Sequence, residues 1–177
     1  RVIYQYKNAG SGYCDQFEDV PLFTPKSMYD GSAGIGIFFI RLYEATGDTR
    51  WLTEAEEAAA HIIATKVGVE WYQTTLHSEV KGIIPVPGWA AGPYNGPVGE
   101  AYFLEDLYQV TGKQEYRDYV LYVADVLLEA AVTDERGLHW SDQEDITADG
   151  GFIVFLDILY RKTGIKKYLE LAKEGLT

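Results

Sequence analysis

The chain has 177 residues, 47% of them apolar and 24% charged, which is enough for one domain with a sizeable core and is globular rather than disordered. A formal net charge of −12 argues against nucleic acid and anionic membrane as partners, because neutralising phosphates takes clustered Lys and Arg. Cys14 is the only cysteine, which excludes an intrachain disulfide and a cysteine-based metal cluster and leans weakly towards a reducing, cytoplasmic compartment. The sequence shows no signal peptide and no apolar run of bilayer length, and it opens on Arg1 rather than Met, so the compartment stays undetermined.

After an N-terminal segment, residues 1–28, one pattern is written three times. The first copy reads Tyr29-Asp30-Gly31-Ser32-Ala33-Gly34 and runs through apolar residues to Leu42-Tyr43-Glu44-Ala45-Thr46-Gly47. The second reads Tyr94-Asn95-Gly96-Pro97-Val98-Gly99 and ends Leu107-Tyr108-Gln109-Val110-Thr111-Gly112. The third enters at Asp149-Gly150-Gly151 and ends Leu159-Tyr160-Arg161-Lys162-Thr163-Gly164. The closing glycines stand 65 and then 52 residues apart, a period that marks a repeat architecture.

Each copy predicts a helical hairpin, over approximately 30–65, 95–132 and 149–177. The first helix of each is apolar nearly all round and belongs inside a larger body: Ala33 to Ala45, Val98 to Val110 and Phe152 to Lys162. Thr-Gly then stops it, Gly supplying a left-handed cap. The second helix is amphipathic: Trp51, Leu52, Ala55, Ala58, Ala59, Ile62 and Ile63 share one face and Glu54, Glu56 and Glu57 the other. Tyr116, Tyr119, Val120, Val123, Ala124 and Leu127 repeat that design. Strands are marginal, apart from a short hairpin expected from Val67 to Tyr72 and Gly82 to Val86 in the first return loop.

A buried inner helix, a Gly turn and an amphipathic outer helix, stacked side by side, make an all-α fold, the α/α toroid, as a single domain or part of one. Three hairpins are about half of a six-hairpin barrel. Either further hairpins outside these residues or a second copy would close the ring, so a homo-oligomer is one expectation.

Through Tyr29 to Gly36, Thr46-Gly47-Asp48, Tyr94 to Gly99 and Leu159 to Gly164, the chain resembles the lanthionine synthetase C-like family over roughly residues 27–177. That resemblance implies an α/α toroid that cyclises dehydrated peptides onto cysteine thiols. It also implies a zinc ion held by two cysteines and a histidine. Here the matching segment is Gly88-Trp89-Ala90-Ala91-Gly92, with alanine where cysteine would stand. No metal and no cofactor is therefore expected within the chain; zinc would need ligands from outside it.

Several residues are candidates for chemistry. Asp30, Asn95 and Thr147 share one repeat position and are N-caps by type; Asp30 is also a candidate catalytic base at the toroid mouth. Gly34, Gly99 and Gly151 coincide too, and predict close packing of one inner helix on its neighbour. Glu100, directly after Gly99, is a candidate catalytic acid near the start of a buried helix. His139 is the best placed of the three histidines for proton transfer; His61 is expected packed or solvated, and His77 has no assigned partner. Trp89 and Trp140 precede inner-helix glycines as Phe23 does, either to pack the return loops onto the helix ends or as candidate ligand-binding platforms, with Tyr94, Asn95 and Asp149 as further binding candidates. The acidic stretch 133–150 is expected to be a solvated loop.

Two functions follow. One is a lanthionine synthetase C-like protein without its own zinc site that binds a peptide or thiol at the mouth. The alternative is a carbohydrate-active toroid (glycoside hydrolase, lyase or epimerase-like) with paired carboxylates and a sugar ligand. A third reading is a helical-repeat subunit that only assembles.

Overall fold

The structure, a computed structural model, describes residues 26–29, 31–69, 90–142 and 144–176. Among these residues three helical hairpins follow one another: α1 (Ser32–Thr46) with α2 (Thr49–Ala64), α3 (Pro97–Thr111) with α4 (Gln114–Ala130), and α5 (Asp149–Thr163) with α6 (Lys166–Glu174). A two-stranded antiparallel hairpin, β1 (Val132–Asp134) and β2 (Gly137–His139), follows α4. The expected inner helices are all present. The third begins three residues earlier than its apolar run.

The repeated Thr-Gly ending has a complete physical account. Gly47, Gly112 and Gly164 adopt φ of 69°, 70° and 71°, and their amides donate to the carbonyls of Tyr43, Tyr108 and Tyr160. At this left-handed position only Gly avoids a steric cost. The preceding Thr46, Thr111 and Thr163 hydroxyls donate one turn back to Leu42, Leu107 and Leu159 at 2.7, 2.8 and 2.7 Å. The same oxygens accept from the amides of Asp48, Lys113 and Ile165, which lead into the outer helices. One hydroxyl thus joins the end of each inner helix to the start of its outer one.

The helix starts differ from expectation. Gly31, Gly96 and Ala148 are the N-caps, one residue beyond Asp30, Asn95 and Thr147, and none of the three uses a side chain. At α1 the carbonyls of the preceding turn do that work: Ala33 N donates to Lys26 O at 3.1 Å and Gly34 N to Ser27 O at 3.3 Å. Backbone acceptors curled under the first turn make a side-chain cap unnecessary.

The inner helices α1, α3 and α5 stand side by side and parallel. Phe103 of α3 rests on the bare backbone of Gly36 in α1, and Phe155 of α5 meets Tyr102 of α3 edge-on at 5.5 Å. Further along, Arg41 pairs with Asp106 at 2.6 Å. Glu105, nearly buried, accepts from Arg117 Nη2 and lies 3.7 Å from Lys162, tying α3 to both α4 and α5. The outer helices bury the predicted faces, Ala55, Ala58, Ala59 and Ile62 in α2 and Tyr116, Tyr119, Val120, Val123, Ala124 and Leu127 in α4. His61 is exposed on α2.

Strand structure lies elsewhere than expected. Val67 to Val69 carry no strand, and the rest of that expected hairpin and His77 fall outside the described residues. The acidic stretch instead folds at its start into β1 and β2, with Gly137 at φ 92° supplying the reversal and Arg136 facing Asp134 and Asp142.

The glycines at the helix starts set the spacing. A Cβ on Gly34 would lie 2.1 Å from Met28 O, and one on Gly99 2.2 Å from Pro93 O and 3.1 Å from Met28 Cβ. On Gly151 it would lie 2.4 Å from Ile146 O and 2.8 Å from the Pro93 ring. The close packing expected here is therefore against each helix's own preceding turn first and the neighbouring turn second. Gly99→Ala should cost about 1–3 kcal/mol by overpacking against backbone that cannot yield. Gly68→Ala, where a Cβ meets nothing within 4 Å, should be close to neutral in the same urea-unfolding measurement.

Candidate functional site

The turns that lead into the three inner helices gather at one end. Met28 lies against Gly99, Pro93 lies against Gly151, and Tyr29 N donates to Tyr94 O at 3.0 Å. Counted from the helix-start glycines, Tyr29, Tyr94 and Ile146 hold one register, and they are exposed to 79%, 42% and 52%. Large apolar side chains left open at the same place in each unit form a row along this end. Burial, with the Tyr94 phenol as a lesser cause, pushes the Tyr102 hydroxyl up to about 12, so it is a neutral hydrogen-bonding group under the row. Asn95 is half-buried in the same turn.

Beside the third turn lies a cleft of about 290 Å³, bordered by His139, Asp149, Ile153 and Leu176. Asp149, 5% exposed, stands in the first turn of α5. Its Oδ2 accepts from the amides of Trp140 and Ser141 at 2.9 and 3.1 Å, and its Oδ1 from the Ser141 hydroxyl at 2.6 Å. Burial raises its pKa above the ordinary value; the bonds from Ser141 and Trp140 and the nearby His139 oppose the shift without cancelling it. Three donors and a helix N-terminus hold the loop after β2 onto α5.

His139 is anchored through both ring nitrogens. Arg136 Nη2 donates to Nε2 at 2.7 Å, so Nδ1 carries the proton and gives it to Gly137 O at 3.1 Å. The imidazole and Asp149 thus border one cleft.

Trp140 and Glu100 sit apart from solvent. Trp140 is wholly buried, its indole N–H donates to Leu127 O at 2.7 Å, and its ring meets Phe152 edge-on, so it offers no face to a ligand. Glu100 is likewise 0% exposed; it accepts a very short bond from the Tyr119 hydroxyl, and Lys26 Nζ stands 3.6 Å away while donating to Thr65 O at 2.8 Å. This carboxylate stitches α3 to α4, to the end of α2 and to the turn before α1. Phe23, Asp30 and Trp89 lie outside the described residues. Sequence reasoning missed Lys26 and Tyr119, whose separation along the chain gives no signal that Glu100 joins them.

No protein-family model matches the chain, and no curated protein matches it. Solved structures do. A glycoside hydrolase family 76 mannosidase from Bacteroides thetaiotaomicron superposes with TM-score 0.50 at 19% identity, covering 81% of this chain and 41% of its own. A family 76 glycoside hydrolase from a bovine strain of the same species gives TM-score 0.48 at 17% identity, over 85% of this chain and 36% of its own. The fold is an α/α toroid. The chain spans less than half the length of either structure.

Ala90 and Ala91 are buried, and their methyl side chains offer no ligand atom. Among the described residues no group of three or more His, Cys, Asp and Glu is placed to hold a metal ion, and no helix is long and apolar enough to cross a membrane.

The environment of Asp149 makes a pH prediction with a definite sign. A folded-state pKa above the unfolded one stabilises the fold below the ordinary value of 3.8, and that contribution is lost as pH rises through the raised value. A carboxyl-detected NMR titration should place the Asp149 midpoint above 3.8. Asp149→Ala should destabilise the fold by about 1–3 kcal/mol, since the Trp140 and Ser141 amides lose their acceptor.

Proposed function

We propose that this chain is part of a carbohydrate-active α/α toroid, of the glycoside hydrolase, lyase or epimerase kind, which takes a neutral, hydroxyl-rich ligand at the end where the turns gather. The observation that carries the reading is the row of Tyr29, Tyr94 and Ile146 at that end, beside a cleft edged by Asp149 and His139. Exposed rings suit the apolar faces of pyranose sugars, and a few convergent polar groups fix their hydroxyls. Asp149 Oδ1 takes one hydrogen bond from the protein, which leaves a lone pair for a ligand hydroxyl. The likeness to a mannosidase supports the same class.

In this reading Tyr94 and Tyr29 bind, Asp149 and His139 orient, and Asp30, which lies outside the described residues, remains the candidate second carboxylate from the sequence. Glu100 serves the scaffold, because a fully buried carboxylate engaged by Tyr119 cannot reach a substrate. Among the described residues no group of ligands is placed to hold the zinc that a thiol-activating centre needs.

Calorimetric titration of the chain with neutral manno-oligosaccharides should give saturable binding, weakened about tenfold by Tyr94→Ala with the fold intact. Absence of binding to any neutral oligosaccharide, with capture of cysteine-containing peptides instead, would return the reading to the lanthionine synthetase C-like class.

A further inference from the structure

The residue three past the helix-start glycine is Ile37 in α1, Tyr102 in α3 and Val154 in α5, so one unit carries a phenol where the other two carry aliphatic side chains. Tyr102 stands on the middle inner helix, with α1 packed on one side of α3 and α5 on the other. The neighbouring unit holds its ring: Phe155, 2% exposed, meets it edge-on at 5.5 Å. Nothing holds its hydroxyl in the same way. The hydroxyls of Tyr119, Tyr122 and Tyr168 donate to oxygens of Glu100, Val67 and Asp125. Among the described residues the Tyr102 hydroxyl has no such partner, and the residue is only partly buried.

Side chains on a helix lean toward its N-terminus, so the phenol leans from α3 toward the turn that carries Tyr94. The Tyr94 phenol is close enough to add to the burial that pushes the Tyr102 hydroxyl up to about 12. At neutral pH the group therefore stays protonated and keeps its donor and its lone pairs unspent. A ring already clamped by the next helix loses little freedom when its hydroxyl takes a ligand.

We propose that Tyr102 is a specificity-determining residue of the carbohydrate site, its hydroxyl hydrogen-bonding one hydroxyl of the sugar that lies on Tyr94. The assignment rests on the carbohydrate reading and adds to it the group that separates a sugar from its deoxy analogue. A site built to hydrogen-bond a ligand hydroxyl rejects an analogue without it far more strongly than an apolar pocket does. Phenylalanine at this position keeps the ring and its contact with Phe155 and removes the donor alone.

The test is calorimetric titration of wild type and Tyr102→Phe with a neutral manno-oligosaccharide and its monodeoxy analogues, beside urea unfolding of both proteins. Tyr102→Phe should bind the parent sugar about tenfold more weakly while unfolding at the same urea concentration, because its hydroxyl serves no bond within the protein. One deoxy analogue should lose about the same factor against wild type and nothing further against Tyr102→Phe, a coupling that a packing role would not produce. Equal binding of the parent sugar by both proteins overturns the assignment and leaves the carbohydrate reading standing. So does a loss of stability in Tyr102→Phe, or a set of deoxy analogues that weaken both proteins alike. Wild-type protein that binds no neutral oligosaccharide overturns the carbohydrate reading, and this assignment with it.

Discussion

Everything in this fold depends on how closely backbone can approach backbone at the start of each inner helix. The carbonyls of Met28, Pro93 and Ile146 pass where the Cβ of Gly34, Gly99 and Gly151 would stand. That contact lets each turn curl under its own helix and still touch the next unit, as Met28 touches Gly99 and Pro93 touches Gly151. With the turns locked in this way the inner helices are forced parallel and adjacent, and Phe103 and Phe155 reach their contacts on the preceding helix. A side chain at these glycines would push the turn away and lift the row of Tyr29, Tyr94 and Ile146 out of line. The geometry of the candidate site is therefore set by an absence of atoms, and the site residues inherit it.

The buried carboxylates show how the units are then joined. Glu100, Glu105 and Asp149 all lie at or below 5% exposure, and each takes donors from outside its own helix. Glu100 takes Tyr119 from α4 and lies beside Lys26, while Glu105 takes Arg117 from α4 and lies beside Lys162 from α5. A charge removed from water is costly unless paired and hydrogen-bonded, so each of these groups penalises any arrangement that separates its partners. Helix packing by apolar contact tolerates sliding; a carboxylate with fixed donors does not.

Much of the fold was legible in the sequence because it is carried by local chemistry that recurs. Thr-Gly after an apolar run specifies a helix stop wherever it stands, and the three stops fall at Gly47, Gly112 and Gly164 as expected. The amphipathic spacing of α2 and α4 likewise identified their buried faces. The caps were misread because Asp30, Asn95 and Thr147 look like caps by residue type, whereas the turn before α1 satisfies the helix with carbonyls that no residue type announces. Of the two readings of Trp140, packing and ligand platform, the buried ring shows packing, and the sequence could not choose between them for a related reason. An aromatic at a repeated distance from a glycine points to one end of the fold, but its indole N–H finds Leu127 O only in three dimensions. Glu100 and Asp149 were both singled out as carboxylates for the site, and nothing in their sequence neighbourhoods separates the sealed one from the one that borders a cleft.

The separation follows from where each unit departs from the repeat. Glu100 replaces an apolar residue, its counterparts being Ile35 and Phe152, at a position that points into the body of the protein; the departure brings a phenol and an ammonium with it, and the result is a stitch. Asp149 stands at the register of Ser32 and Pro97, the first residues of α1 and α3, where the chain is still leaving the turn. Its departure is accompanied by a different return loop, one that carries β1, β2 and His139 rather than a second Pro93-like turn. Burial raises its pKa against the opposing bonds from Ser141 and Trp140, and the carboxyl stands at the edge of a cleft. Scaffold positions in a repeat protein are constrained by the neighbouring unit on each side, so a polar group there must be answered from within the protein. Positions on the turn have solvent on one side, and a polar group there can be answered by a ligand. By that criterion the proposed site fits the third turn, with Asp149 and His139, better than the interior at Glu100.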